Sequence, residues 1–290
     1  MKKTILLLLL CYAFQGAYAQ DDLLAALEAE EEPQANIVSS TFKGTRIING
    51  HSVEIRKPGT LEFLISHRFG TLNSGGYNLW GLDQSNIRIA LEYVPLERLM
   101  IGAGRSSFEK TYDGFAKIKL LQQQTGVKNI PVSMVWFSSV ALKTLKRFDT
   151  YESDFDDKLA FTHQLLIGRK VTPALSLQVT PSYIAYNLIE LNETAGHVFA
   201  VGVGGRMKIS NRVTINAEYF PQISDKSPDY FNAFAVGVDI ETGGHVFQLQ
   251  FTNATSMLEK GFIGENTNDF FNGDIHFGFN ISRAFQMSNH

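Results

Sequence analysis

From Leu61 onward the chain repeats one theme, a segment of about ten residues in which apolar and polar side chains alternate, bounded by turn residues. Alternation at period two places one set of side chains on each face of an extended strand. The clearest cases set Leu61, Phe63, Ile65, His67 and Phe69 against Glu62, Ser66 and Arg68, and Ile87, Ile89, Leu91 and Tyr93 against Arg88 and Glu92. The pattern returns in Val213, Ile215, Ala217 and Tyr219 against Thr214, Asn216 and Glu218, then in Phe247, Leu249 and Phe251 against Gln248, Gln250 and Thr252. It closes with Ile275, Phe277, Phe279 and Ile281 against His276, Gly278, Asn280 and Ser282. Twelve such strands are predicted, at 61–69, 86–94, 98–106, 112–121, 132–141, 158–168, 173–182, 197–209, 212–220, 231–240, 245–252 and 273–285.

The segments between them alternate in length. One set (70–85, 107–111, 142–157, 183–196, 221–230, 253–272) is long apart from 107–111, and the other (95–97, 122–131, 169–172, 210–211, 241–244) is short apart from 122–131. An even number of strands with short turns on one side and long loops on the other is the signature of a bacterial transmembrane barrel. A soluble sandwich has no cause to alternate this way, and its strands average about five or six residues. The fold class predicted is therefore all-β, a closed antiparallel transmembrane β-barrel of twelve strands over residues 60–285, preceded by an N-terminal tail or plug segment and followed by a short tail, 286–290.

Composition fits that reading. Past the first twenty residues no apolar run reaches the roughly 18 residues that a membrane helix needs. Lipid then leaves only a closed barrel as a way to satisfy backbone N–H and C=O groups. The chain is 12% aromatic and 19% charged, with 24 glycines and a net charge of −3, which provides no basic face for nucleic acid. Phe69, Trp80, Tyr93, Tyr183, Tyr219, Phe220 and Phe285 fall near predicted strand ends and are expected at the lipid–water boundary.

The N-terminus has its own organisation. Lys2 and Lys3 precede an apolar run from Ile5 to Phe14 and the small-residue site Ala17-Tyr18-Ala19, which together form a secretory signal peptide over residues 1–19, cleaved after Ala19. Cys11, the only cysteine, lies within it; a lipidated Cys11 is disfavoured by the bulky Leu8, Leu9 and Leu10. Residues 20–59 then divide into an acidic run with Asp21, Asp22, Glu28, Glu30, Glu31 and Glu32, expected to be a solvated tail, and a polar stretch from Thr41 to Lys57 placed to plug or brace the barrel. Asn49-Gly50 marks a turn in that stretch.

The final strand, from Gly273 to Phe285, with Gly278, Ile281 and a closing aromatic, resembles the C-terminal strands by which outer-membrane barrels are recognised for assembly. Phe285 is followed by five more residues instead of ending the chain. Residues 40–285, and above all Thr41-Phe42-Lys43-Gly44-Thr45-Arg46-Ile47-Ile48-Asn49-Gly50-His51-Ser52, resemble a family of predicted outer-membrane β-barrel proteins of unknown function from Bacteroidota. The resemblance implies location and fold, and carries no substrate and no catalytic residue.

The chemistry offered is that of a lumen. Alternation turns Arg68, Arg88, Lys117, Lys119, Arg206 and Lys208 inward together with Glu62, Glu92, Glu218 and Asp239. Two readings stay open, a polar conduit with mild anion preference and a lumen closed by paired charges. A hydrolase would need a serine and a histidine on adjacent strands with a third group orienting the imidazole. Ser66 and His67 are chain neighbours and point to opposite faces; His67 and His163 fall on the outward set and His276 on the inward one. No catalytic, cofactor or metal residues are assigned. Gly102, Gly104, Gly202, Gly204 and Gly205 sit within strands with no helix to follow, so they serve wall packing better than phosphate binding. Glu152, Asp154, Asp156 and Asp157 read as a solvated acidic loop before a calcium site, and the Asn-x-Thr matches at Asn192 and Asn253 as chance. The expectation is a non-enzymatic barrel in a bacterial outer membrane, a channel or transporter for a small solute, or alternatively an anchor in a cell-surface assembly. Its partners would be membrane lipid, the outer-membrane assembly machinery, and a solute or a cell-surface protein, with no cofactor.

Overall fold

The computed structural model describes residues 35–146, 154–187 and 196–287. The expected signal peptide, the acidic run, Glu152, Asn192 and the last three residues lie outside them. Twelve strands form the wall: β1 (Thr60–Thr71), β2 (Ser85–Leu96), β3 (Leu99–Ser106), β4 (Tyr112–Leu121), β5 (Ser133–Leu142), β6 (Leu159–Lys170), β7 (Leu175–Tyr186), β8 (His197–Lys208), β9 (Val213–Phe220), β10 (Ala233–Thr242), β11 (His245–Thr252) and β12 (His276–Gln286). Each pairs antiparallel with its chain neighbours, and β12 pairs with β1, so the barrel closes.

Burial alternates as the pattern requires. On β2 the side chains of Ile87, Ile89, Leu91 and Tyr93 are 37 to 50% exposed on the outer face, whereas Arg88, Ala90 and Glu92 are buried. The outside is thus apolar and open, and the inside polar and closed, the reverse of a water-soluble sheet. Both ends of the wall lie at one rim, where Thr60 pairs with Gln286. That near rim carries the tight turns, such as 97–98 and 243–244, and the far rim carries the long loops.

Several details differ from the sequence expectation. β7 runs to Tyr186, four residues beyond its predicted end, because its outer part keeps pairing with β8 up to His197. β12 begins at His276 instead of Gly273: the Asp269 side chain accepts from Phe271 N–H, and Gly273, at φ 90°, closes a turn that only then releases the strand. The long near-rim turn 122–132 carries a two-residue strand, Gln124–Thr125, which pairs with Asn36–Ile37 of the incoming chain. Phe220, expected at the outer boundary, points inward and is only 4% exposed. Its ring meets that of Phe262 edge-on at 5.1 Å, because the last far-rim loop folds into the barrel and offers an apolar partner there.

Candidate functional site

The lumen is the candidate site, and ten wall residues were expected to line it. Glu62, Arg68, Arg88, Glu92, Lys117, Arg206, Glu218 and Asp239 are at most 4% exposed. Lys119 and Lys208, toward the near rim, are partly exposed. These side chains are charged, and a buried charge needs partners. Most of the partners come from the chain's own N-terminal segment.

Residues 41–56 enter from the near rim and fold into a hairpin within the barrel. Ile47 N–H donates to the Gly50 carbonyl (2.8 Å) and Ser52 N–H to the Thr45 carbonyl (2.9 Å), so the turn falls at Ile47-Ile48-Asn49-Gly50. Backbone groups in a buried, irregular segment must find partners. Here wall side chains supply them. The Glu218 carboxylate accepts from the N–H groups of Ile48 (3.2 Å), Asn49 (2.7 Å) and Gly50 (3.2 Å). In the other direction, Gln248 donates to the Ile47 carbonyl (2.9 Å), Asn280 to that of Ile48 (3.0 Å), and Gln178 to that of His51 (2.8 Å). Lys117 Nζ donates to the carbonyls of Glu54 (2.9 Å) and Thr45 (3.3 Å). The Asn49 side chain accepts from Arg68 (2.8 Å) and donates to Thr252 (3.1 Å). Thr45 donates to Glu92 at 2.7 Å, and Arg56 grips Glu62 with two bonds of 2.8 Å. Lys43 pairs with Glu241 at the near rim.

The hairpin's other face is apolar. Phe42, Ile47, Ile48, Val53 and Ile55 pack with Val94, Met100, Phe115, Val135, Phe137, Leu166 and Ala235 of the wall. The fit is close enough to demand glycine: a Cβ on Gly50 would stand 2.7 Å from the Phe220 ring, and one on wall residue Gly204 would stand 2.8 Å from Ile47. Two wall charges without a hairpin partner pair with each other. Arg88 holds Asp113 at 3.0 and 2.5 Å. Asp113 was passed over in the sequence, although it shares the inward set of Phe115 and Lys117 on β4 and could have been found from their spacing.

From the far rim a second segment closes the other end. Residues 253–266 turn inward and carry a short helix, α1 (Glu259–Gly264), all six of whose residues are buried. Phe262, Ile263 and Ala254 pack on Ile184, Val198, Ala200, Phe220 and Ala233. Tyr186 donates to the Lys260 carbonyl at 2.5 Å, and Lys260 Nζ lies between Glu109 (2.8 Å) and Glu265 (3.0 Å). Burial favours the neutral form of Glu109, but Lys260 and Lys143 outweigh it and hold that carboxyl below its ordinary value. His276, expected to face inward, is buried; its Nδ1 donates to the Phe69 carbonyl (2.7 Å) and its Nε2 accepts from the Asn268 amide (3.1 Å) beneath the same loop.

The two segments meet at mid-barrel. Glu259 Oε1 lies 3.7 Å from both Arg46 Nη1 and His51 Nε2. The cavity between them, lined by Arg46, His51, Asp113, Glu259 and Lys260 among others, measures about 10 Å³. That is room for a single water molecule. Among the described residues the lumen is thus filled by protein, and no cluster of His, Cys, Asp and Glu there is arranged to hold a metal ion.

Residues 42–285 match the family model described as "Membrane bound beta barrel domain (DUF5777)". No curated protein matches the chain. Among solved structures it is similar to the NanC porin (7% identity, TM-score 0.48, covering 78% of this chain and 98% of that one). It is also similar to the KdgM porin (9%, TM-score 0.47, 80% and 99%) and to an outer membrane channel from Pseudomonas putida F1 (11%, TM-score 0.47, 80% and 97%).

Proposed function

We propose, from the premise that this chain belongs to the family of membrane-bound β-barrel domains matched over residues 42–285, that it is an outer-membrane conduit for a small polar solute held closed by its own N-terminal hairpin. The observation that carries this reading is the way the hairpin is held. It is joined to the wall covalently only where residues 57–59 lead into β1, and most of its hydrogen-bonding partners are wall side chains. Its withdrawal breaks no pairing among the twelve wall strands. The groups it would uncover, Glu218, Arg68, Lys117, Glu92 and Gln248, are ones that water can solvate. In this reading the signal peptide exports the chain, the outer-membrane assembly machinery inserts it, the near rim faces the periplasm, and the long loops face outward.

The anchor reading has its own support. The apolar contacts of Phe42, Ile47, Ile48, Val53 and Ile55 suit a lumen closed for good, with the far-rim loops as a contact surface. Planar-bilayer recording separates the two. Full-length protein is expected to be nearly silent and protein lacking residues 41–57 to conduct in discrete steps. Flat traces from both, with each running as a folded, heat-modifiable barrel on unboiled gels, would sink the conduit and leave the anchor.

A further inference from the structure

On the outer face of the wall lies a region that plain apolar lipid does not account for. On β5, β6, β7 and β8 a row of rings crosses four strands: Trp136 over His163 (6.0 Å between centroids), His163 over Tyr183 (6.4 Å), and Tyr183 over His197 (5.7 Å), all near parallel. Two polar pairs are embedded in this row. Ser138 Oγ and His163 Nδ1 are 2.9 Å apart across β5 and β6, and Tyr183 Oη and His197 Nδ1 are 2.8 Å apart across β7 and β8. Ionisable groups facing hydrocarbon are costly, and where they persist they mark function more often than packing.

The backbone beside them is unusual too. Pro181 sits in the middle of β7, where a barrel has no free edge to excuse a missing N–H. The β6–β7 ladder holds one register on both sides of it, from Gln164↔Ser182 to Ile167↔Val179, and is interrupted opposite Pro181. At this place the outer surface is hollowed into an open groove of about 400 Å³. Trp136, His163, Leu165, Pro181, Tyr183 and Phe199 line it, and its surface is almost wholly apolar.

We infer that this groove is a docking site for one acyl chain of a membrane glycerophospholipid, with the ester at its head hydrogen-bonded by His163. The inference rests on the membrane reading of the barrel but not on conduction. The occupant follows from the surroundings: the groove opens on the lipid-facing side, its walls are apolar, and its polar groups are gathered along one tilted row that ends at His197 on the far rim. Ser138 fixes the orientation of the His163 ring through Nδ1, which leaves Nε2 to meet the ester oxygen. The neighbours that stack on His163 are Trp136 and Tyr183, not a carboxylate, so the pair is arranged for binding and not for attack by Ser138.

The test uses full-length protein in liposomes containing a phosphatidylethanolamine with a diazirine on one acyl chain, followed by light and peptide mapping. Label is expected on Trp136, Leu165 and Phe199 at several times the level on Leu249 and Phe251, which elsewhere on the wall are about as open to lipid as Trp136 and Phe199 and more open than Leu165. Leu165→Trp, which fills the groove, is expected to abolish the excess. His163→Leu, which keeps the surface apolar, is expected to reduce it several-fold and to lessen co-purified phospholipid in native mass spectrometry. Even labelling around the wall, an excess untouched by either variant, or chain-to-chain crosslinks through this face instead of lipid, would overturn the proposal. Variants are scored only where unboiled gels show the folded barrel, and the two alter different walls of the groove, so the loss of one does not end the test.

Discussion

The two segments that fill the lumen are held by opposite means. The N-terminal hairpin is an irregular strand pair whose backbone is satisfied from outside, by Glu218, Gln248, Asn280, Gln178 and Lys117 of the wall. The far-rim loop brings its own helix, anchors it with apolar residues such as Phe262 and Ile263, and is tied to the wall at both ends by β11 and β12. One is a guest read by its host, and the other is a fold in the host itself. The difference implies that each can be loosened separately, because among the described residues the only ion pair between them is Glu259 with Arg46 at 3.7 Å, longer than a hydrogen bond.

The sharpest way to break the comparison is Gly50→Val. A side chain there collides with Phe220, and overpacking of this kind costs about 3 kcal/mol, enough to displace the hairpin. Hydrogen exchange is expected to lose protection over residues 45–52 while α1 stays protected, and bilayer recordings are expected to show openings. Retained protection at the tip would mean that the fit is looser than the Phe220 contact implies.

Next in size is Glu218→Ala, which strips the acceptor from three backbone donors. Hydrogen bonds to a charged group are each worth roughly 1.5 to 3 kcal/mol, and water entering the gap recovers part, so a loss of about 2 to 3 kcal/mol in the hairpin's protection is expected. Glu218→Gln, which retains one carbonyl oxygen, should lose less. If Ala and Gln behave alike, the carboxylate is not what holds the tip.

The far-rim loop is probed by Lys260→Met, which leaves Glu109 and Glu265 without their shared cation; both are partly exposed, so the cost is expected near 1 to 2 kcal/mol and confined to residues 253–266. The same contact gives a pH dependence. Because Glu109 is held below its ordinary value in the folded protein, its contribution is complete above the ordinary carboxylate range and is lost as pH falls through the lowered value. Glu265, on the same lysine, is shifted the other way by burial and protonates first at no cost to the loop, so the decline in far-rim protection is expected only as pH falls on through the lowered Glu109 value; unchanged protection there would contradict the assignment. The smallest effect belongs to Glu259→Gln, about 1 kcal/mol or less, since its contacts are long. Simultaneous opening of both segments in that variant would show that they form one latch.

Much of the fold was legible because a barrel wall writes period two into the chain with little interference. All twelve strands were predicted from alternation, and the loop lengths sorted the connections onto two rims. The misreadings have local causes. Phe220 was taken for a boundary aromatic because position near a strand end says nothing of which face a residue takes. Residues 253–266 were taken for an ordinary loop because α1 is too short to display a helical period. Of the lumen chemistry, the wall residues could be picked out one by one, and the stretch from Thr41 to Lys57 could be marked as a plug or brace. Their partners could not be, since Glu218 and Asn49 lie far apart in sequence and no local pattern couples them. Ser138 and His163 escaped for the same reason: only the β5–β6 register brings them together.

The closure between β1 and β12 sets an order on how the molecule comes into being. Thr60 and Gln286, whose side chains lie 3.0 Å apart at that junction, are 226 positions apart in the chain. Pairings so distant are late and slow to form. Yet the hairpin, which emerges before any wall strand, has partners at both ends of the sheet, Glu62 and Arg68 on β1 and Glu92 on β2, but also Glu218 on β9, Gln248 and Thr252 on β11, and Asn280 on β12. Its set of partners stays incomplete until the sheet has nearly wrapped. The first part of the barrel domain to be synthesised is thus among the last to find its place, and the growing cylinder must curl around it as around a mandrel.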